Sequence, residues 1–168
     1  SGKDNFIVQM LNKYGYGIKD LTCSLTSSPL EGLNGQMHVD SLIVDSILLD
    51  TVHFAIRSDS TNIFYSAQVR NAKGNPQYVF NALADGGLTE KGTYLTASVF
   101  DSKDQLGVRM GVSAEFADSG MVFHSYGEQP ILGYKQFAIN DDNYVYLGKD
   151  MRVSADVVLK AKDGTGVQ

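Results

Sequence analysis

The chain has 168 residues, of which 43% are hydrophobic and 20% charged, and its 14 Lys and Arg against 19 Asp and Glu give a net charge of −5 at pH 7. This size suits one domain with a sizeable core, which excludes a disordered acidic tail, and the negative charge argues against nucleic acid as a partner. The single cysteine, Cys23, excludes an intramolecular disulfide framework. No apolar run approaches the roughly 20 residues of a membrane helix.

The two ends of the chain are typical of an excised piece. Ser1-Gly2 precedes Lys-Asp-Asn without an initiator Met, which indicates a tag remnant. Near the other end, the turn-like segment 163–166 stands where a new strand could begin. We therefore expect residues 3–168 to form a single β-rich domain that belongs to a longer protein.

The first predicted element is a short amphipathic helix over 4–14. Asp4 suits its N-cap and Gly15 its end. Its apolar positions recur at spacings of one, three and four residues: Phe6, Ile7, Met10, Leu11 and Tyr14.

A pattern with a period of five residues follows. An apolar residue is followed by Asp, then by Ser or Thr, then by a second apolar residue, and this order occurs at 39–43, 44–48 and 49–53. A five-residue period is a signature of a four-sided β-solenoid, but three copies do not complete one coil. We favour short strands with corners at the Asp-Ser steps, because an odd period in a plain strand would move the Asp residues to alternate faces.

From there on the apolar period is two, which predicts strands at 52–57, 63–70, 78–84, 93–100, 106–116, 121–126, 144–147 and 153–161. Turn signals separate them at 58–62, 73–76, 85–87, 102–104, 118–120 and 127–130. Short turns join only antiparallel neighbours, so the spacing predicts an antiparallel meander. Gly107 and Gly111 inside a strand favour curvature. The expected fold is all-β: a curved antiparallel sheet, U-shaped or sandwich-like, with one short N-terminal helix.

One face of these strands carries large apolar side chains. If the sheet meets a second sheet they form an ordinary core, which residue chemistry alone favours. If the sheet curls without closing, they line a trough suited to acyl chains, since each buried methylene contributes about 0.8 kcal/mol. The candidate lining residues are Val52, Phe54, Ile56, Leu106, Val108, Met110, Val112, Phe116, Val153, Val157 and Leu159.

The residues offer little chemistry for catalysis or for metal binding. His38, His53 and His124 do not stand at a metal-ligand spacing and are expected as ordinary strand residues. Cys23 alternates with apolar positions, which favours a buried small hydrophobe over a nucleophile.

Two acidic or glycine-rich stretches have ordinary interpretations as well. Asp141-Asp142-Asn143 with Asp150 resembles a set of oxygen ligands for a hard cation, but the spacing does not fit a helix-loop-helix calcium site, so a solvated turn is favoured. The segment 163–166 lacks the residues of a phosphate-binding loop. We expect no metal, no cofactor and no catalytic residue.

The aromatic content suggests an alternative function. The chain contains nine tyrosines, and two of them flank Val145 in Tyr144-Val145-Tyr146. Exposed aromatic rings stack on sugars, so a closed β-sandwich that acts as a surface adhesion or carbohydrate-binding module is the alternative. Tyrosine is also an ordinary strand residue.

Several stretches, taken in order, carry a family resemblance: Ser-Ser-Pro-Leu-Glu-Gly-Leu-Asn-Gly at 27–35, the run 40–52, Val-Arg-Asn at 69–71 with Asn-Pro-Gln at 75–77, the run 140–150, and Asp-Gly-Thr-Gly-Val-Gln at 163–168. In these stretches the chain resembles the AsmA/TamB-like translocation and assembly module proteins of the Bacteroides type. The resemblance spans nearly the whole chain after about Tyr14.

The resemblance implies a piece of a long periplasmic protein whose N-terminus is anchored in the inner membrane. Such proteins build a U-shaped β-sheet with a continuous hydrophobic groove inside. The implied activity is not enzymatic: the groove guides phospholipids between membranes or assists the assembly of outer-membrane proteins. The expected partners are phospholipid acyl chains, an outer-membrane barrel assembly protein and, through exposed strand edges, a second copy of the chain.

Overall fold

The computed structural model of the protein describes residues 9–10, 13, 17–29, 32–44, 47–75, 77–161 and 163–167. These residues form one open, antiparallel, 14-stranded sheet, which confirms the prediction of an all-β fold. The strands are β1 (Gly17–Ser28), β2 (Gly32–Val44), β3 (Ile47–Ser58), β4 (Ile63–Asn71), β5 (Phe80–Thr89), β6 (Gly92–Phe100), β7 (Leu106–Ala117), β8 (Gly120–Ser125), β9 (Ile131–Leu132), β10 (Lys135–Ile139), β11 (Tyr144–Gly148), β12 (Val153–Asp156), β13 (Leu159–Ala161) and β14 (Gly166–Val167).

The first seven strands form a meander in which each strand pairs with the next one along the chain. Their registers run unbroken over most of each strand, for example from Asn34 opposite Arg57 to Val44 opposite Ile47 between β2 and β3. This confirms the predicted meander. Strand alternation therefore keeps each face of the sheet consistent from β1 to β7.

At β7 the sheet forks into two branches. The later part of β7 pairs with β8, starting with Val112 opposite Ser125, and β8 continues to β11 and β12. The earlier part pairs with β9, where Val108 lies opposite Leu132, and that branch continues through β10 and β13 to β14. The fork leaves a cleft between the two branches.

The predicted N-terminal helix over 4–14 is not supported. Gln9, Met10 and Lys13 have helical backbone, but no helix is delimited among the described residues, and the rest of 4–14 lies outside them. A helix of this length takes most of its stability from tertiary packing, which an amphipathic pattern in the sequence does not guarantee. Within the described ranges, no helix is long and apolar enough to cross a membrane.

The turn predicted at 85–87 is wrong, because β5 runs straight through Gly86 and Gly87 and the chain reverses at 90–91. These glycines make room for aromatic rings. A Cβ on Gly86 would overlap Cζ of Tyr65, and one on Gly87 would lie 2.7 Å from Cε1 of Tyr94. The two glycines therefore let the rings lie flat on opposite faces of the strand.

The single strand predicted over 153–161 is also wrong, since β12 and β13 belong to different branches of the fork. The interruption contains Val158, the one residue that breaks the alternation. Asn140 holds it on both sides: the Val158 amide donates to Oδ1 of Asn140 at 2.8 Å, and the Asn140 amide donates to the Val158 carbonyl at 3.3 Å.

The five-residue repeat spans a hairpin of two long strands, β2 and β3, and does not form a solenoid. One of the predicted corners has a local counterpart, because Ser41 adopts a φ of 56° inside β2. No strand pairing involves Ser41 on either side, although the register continues unchanged beyond it. The expectation of short strands is therefore wrong, and the Asp40-Ser41 step is a local irregularity in a long one.

Asn71, Asn75 and Gln77 form a polar clamp on β3. Asn71, 2% exposed, accepts a hydrogen bond from the Asp50 amide at 2.9 Å and donates to the Leu48 carbonyl at 3.3 Å. Asn75 also donates to that carbonyl, at 3.1 Å, and Oε1 of Gln77 accepts from the Leu48 amide at 2.8 Å. These residues, part of the family resemblance, hold the turn after β4 against the start of β3.

The described residues contain no closed hydrophobic core. Their buried apolar side chains are confined to Val39, Ala114 and Ala161. All the strands belong to one sheet, so a second layer does not cover either face within the described ranges. The core that residue chemistry favoured is therefore wrong, since alternation marks an apolar face but does not say whether another layer packs on it.

Candidate functional site

One face of the meander, here called the apolar face, is built from rows of apolar side chains that run across the strands. Each row joins residues that lie opposite one another in successive strands, so its composition follows from the registers. The central row is Cys23, Met37, Phe54, Ala67, Ala84, Ala97 and Met110, and the row beside it is Leu21, Val39, Val52, Val69, Ala82, Val99 and Val108.

The apolar face is open to solvent. Leu25 is 67% exposed, and Met110 and Phe116 are each 53% exposed. Of the exposed large apolar side chains in the described strands, all but Ile47 point to this face. They are Leu25, Ile43, Ile63, Leu88, Leu95, Met110, Val112, Phe116, Leu147 and Val153. Large apolar side chains that are exposed together on one face are typical of an interaction surface.

Most of the predicted lining residues lie on the apolar face of β3 and β7: Val52, Phe54, Ile56, Val108, Met110, Val112 and Phe116. Val153 lies opposite Leu147, at the outer edge of one branch, and is 66% exposed. A register shift between β6 and β7 separates the pairing of Leu106 from that of Val108. The face on which Leu106 lies therefore does not follow from alternation. Val157 and Leu159 belong to the fork.

The cleft at the fork has a volume of about 200 Å³. It brings together Met110 and Val112 from β7 with Val157 and Leu159, four predicted residues that are far apart in sequence. Its other apolar lining residues are Phe123, Pro130, Leu132, Ile139 and Val145. The cleft continues the apolar face of β7 into the gap between the branches.

Sequence reasoning missed part of this surface. Leu25 and Met37 lie on the apolar face in β1 and in the first part of β2, where no strand was predicted. A signal was present, because Leu21, Cys23 and Leu25 alternate with polar residues. Phe123 and Val145 lie in predicted strands, but only the fork turns them toward the same cleft as Leu159.

Cys23 is exposed, so its predicted burial is wrong. It lies on the apolar face of β1, a strand at the edge of the sheet. The thiol lies in solvent because β1 is an edge strand and no second layer of described residues packs on this face.

The histidines are engaged in ordinary contacts. Nε2 of His38 lies 3.0 Å from Oδ1 of Asp40, and the rings of His38 and His53 have centroids 6.0 Å apart. His124 contacts the Asn143 carbonyl through Nδ1 at 2.7 Å. No group of three or more His, Cys, Asp or Glu suited to a metal ion occurs among the described residues, Asp141 and Asp142 included.

The carboxyl groups with shifted pKa values lie in turns, away from the apolar face. Hydrogen bonds from the amides of Thr61 and Asn62 lower the pKa of Asp59 from 3.8 to about 2. The amides of Gln105 and Lys103 lower the pKa of Asp101, and a hydrogen bond from Lys135 lowers that of Asp163. These carboxylates stabilise turns.

No family model, no curated protein and no solved structure matches the chain.

Proposed function

We propose that this chain is a non-enzymatic segment of an AsmA/TamB-like protein of the periplasm, whose apolar face binds phospholipid acyl chains. In this proposal the sheet curves into a U-shaped groove, and the groove serves phospholipid transport between membranes or assists outer-membrane protein assembly with a barrel partner. The proposal joins the sequence resemblance to one structural observation: an apolar face that no second layer of described residues covers.

An exposed apolar face is stabilised by a partner that removes it from water. Apolar surface left in water is unfavourable by about 25 cal/mol per Å², so rows of Val, Leu, Met and Phe across seven strands favour any apolar partner that covers them. Acyl chains are such a partner, because they contact a face of varied shape without requiring matched polar groups. The opposite face carries mainly polar side chains and stays in water.

The cleft at the fork adds a deeper apolar site to this surface. Its volume of about 200 Å³ is close to that of an engineered protein cavity of ~150 Å³ that binds benzene. It therefore takes only part of one acyl chain. In the proposal the remainder of the chain lies along the apolar face of β7 and its neighbours.

The alternative function, a closed β-sandwich module, requires a second sheet on the apolar face. All described strands belong to one sheet. The tyrosines that motivated it make local contacts: the Tyr146 hydroxyl donates to the Ser119 carbonyl at 3.0 Å, and the Tyr144 hydroxyl lies 3.2 Å from Oγ of Ser154. Lipid binding by an open face is therefore the better supported function.

Site-specific photocross-linking tests the proposal. A benzoylphenylalanine is placed at Leu25 or Phe116, on the apolar face, and in matched controls at Ser24 or Glu115, which are exposed neighbours on the opposite face. The chain is expressed in the periplasm, irradiated, purified without detergent and weighed by mass spectrometry. We expect phospholipid adducts at Leu25 and Phe116 and none at the controls. Adducts at neither face, or equally at both, would contradict the proposal.

A further inference from the structure

The polar face of the meander carries a channel that the lipid proposal does not use. It has a volume of about 500 Å³ and runs across the strands from β1 to β6. We call it the polar channel. Its lining residues on the polar face are Ser24, Thr26, Asn34, Gln36, Ala55, Arg57, Phe64, Ser66, Asp85 and Tyr94, and it is also lined by Gly35, Ile56, Tyr65 and Gly86, which alternate to the other face. It lies on the side of the sheet opposite to the apolar face.

The channel forms because a row of mostly small side chains lies beside a row of large ones. The floor row is Ser24, Gln36, Ala55, Ser66 and Asp85, which lie opposite one another in successive strands. The wall belongs to the next row, in which the Arg57 guanidinium lies 4.6 Å from the centre of the Phe64 ring. Tyr94 leans over Gly87 and continues that wall.

The aromatic part of the wall extends to the next ring. Tyr94 contacts Tyr126, with ring centroids 4.8 Å apart. Six strands at about 4.8 Å spacing give the channel a length of roughly 24 Å, which is more than a single sugar ring or amino acid occupies. The channel therefore suits a short polymer.

The functional groups of the floor are free to bind. The side chains of Gln36, Ser66 and Asp85 make no hydrogen bond within the described part of the chain, and Arg57 has only its ring contact with Phe64. They include donors, acceptors and planar groups that engage two neighbouring hydroxyls at once. The aromatic wall offers flat apolar surface beside them, which matches a sugar ring with hydroxyls on its rim and C–H groups on its faces.

The charge and the geometry of the channel restrict the class of ligand that it can bind. Among the described lining residues, the charged ones are Arg57 and Asp85, whose charges balance, so the channel does not favour a polyanion. An acyl chain would bury the polar floor without partners. An extended peptide adds to a sheet at its edge through main-chain hydrogen bonds, which a channel across the strands does not offer. We propose that the polar channel binds a neutral oligosaccharide chain.

Binding to a panel of defined oligomers tests this inference. The chain is titrated calorimetrically with cellohexaose, xylohexaose, mannohexaose and chitohexaose, with hexagalacturonate as the anionic comparison and a neutral Gly/Ser peptide as the peptide comparison. We expect at least one neutral hexasaccharide to bind with a Kd below about 1 mM. Binding of none of the four at this limit, or of only the anionic sugar or the peptide, would overturn the inference.

Two double variants locate the site. Gln36→Ala with Asp85→Ala removes floor groups of the channel, and Gln105→Ala with Asp118→Ala removes the same groups from exposed turns. The channel variant should bind the sugar at least about tenfold more weakly, and the turn variant should bind like the unaltered chain. Equal binding by both would place the sugar elsewhere. Both variants should keep their phospholipid adducts, so this inference and the lipid proposal fail independently.

Discussion

Replacing Met110 by arginine separates an open apolar face from a covered one. Met110 lies at the end of the central apolar row, lines the cleft at the fork and is 53% exposed. Full burial of a methionine side chain contributes about 1.5–3 kcal/mol, and about half of this side chain is already in water. The arginine keeps its charge in solvent. We therefore expect Met110→Arg to lower the free energy of unfolding by no more than about 1.5 kcal/mol.

The same substitution should have a larger effect on lipid binding. A charge placed against acyl chains is unfavourable by about 2.5–3.5 kcal/mol, which corresponds to roughly 100-fold weaker binding. The measurement pairs urea unfolding, followed by circular dichroism, with the amount of phospholipid that remains on the purified chain in native mass spectra. The control is Ser113→Arg, which places the same charge on the opposite face of β7.

The two readouts together decide the outcome. An open groove predicts a folded Met110→Arg chain without lipid and a folded Ser113→Arg chain that retains it. A loss above about 3 kcal/mol for Met110→Arg alone would show that protein covers Met110, because an unpaired charge would then be buried. Lipid retained at the unaltered level by a folded Met110→Arg chain would contradict the role given to the apolar face.

Three further predictions concern the sheet and its turns. Asn71→Ala leaves the Asp50 amide without its acceptor and should lower the free energy of unfolding by about 2 kcal/mol in urea titrations; an unchanged midpoint would contradict the clamp. Gly86→Ala pushes against Tyr65 and should lower stability by about 1–3 kcal/mol, a loss that should largely disappear when Tyr65→Ala is also present; an equal loss in both backgrounds would refute the ring contact. The pKa of Asp59 is lowered to about 2, so its carboxylate should hold its turn above about pH 4 and release it as the pH falls toward 2. Amide shifts of Thr61 and Asn62 followed by NMR should titrate in this window and not in Asp59→Ala.

Alternation of apolar and polar residues predicted much of this fold. The strands near 63–70, 93–100 and 106–116 and the meander that joins them follow from a period of two and from short polar turns. These features are local, since strand alternation and turn chemistry depend on residues a few positions apart. The same local rules placed most of the candidate residues of β3 and β7 on one face.

Predictions from alternation and turn composition failed where the conformation of a residue depends on contacts with residues distant in sequence. Gly86 and Gly87 carry the composition of a turn, yet they lie within a strand because the rings of Tyr65 and Tyr94 need the space of a side chain there. The interval 153–161 has the alternation of one strand, yet Asn140 holds Val158 between two strands of different branches.

The sequence alone determined that the protein is an antiparallel β-sheet with one apolar face, because each side chain's face follows from its position in its own strand. Only the tertiary structure decided that no second layer covers this face within the described residues, and that β7 forks so that Met110 and Leu159 line one cleft. The polar channel is also a feature of the tertiary structure, since the residues of its floor lie on five strands and line up only through the registers between them. These features depend on the pairing of segments that are distant in sequence, and the residues of a single strand do not determine which strands it pairs with.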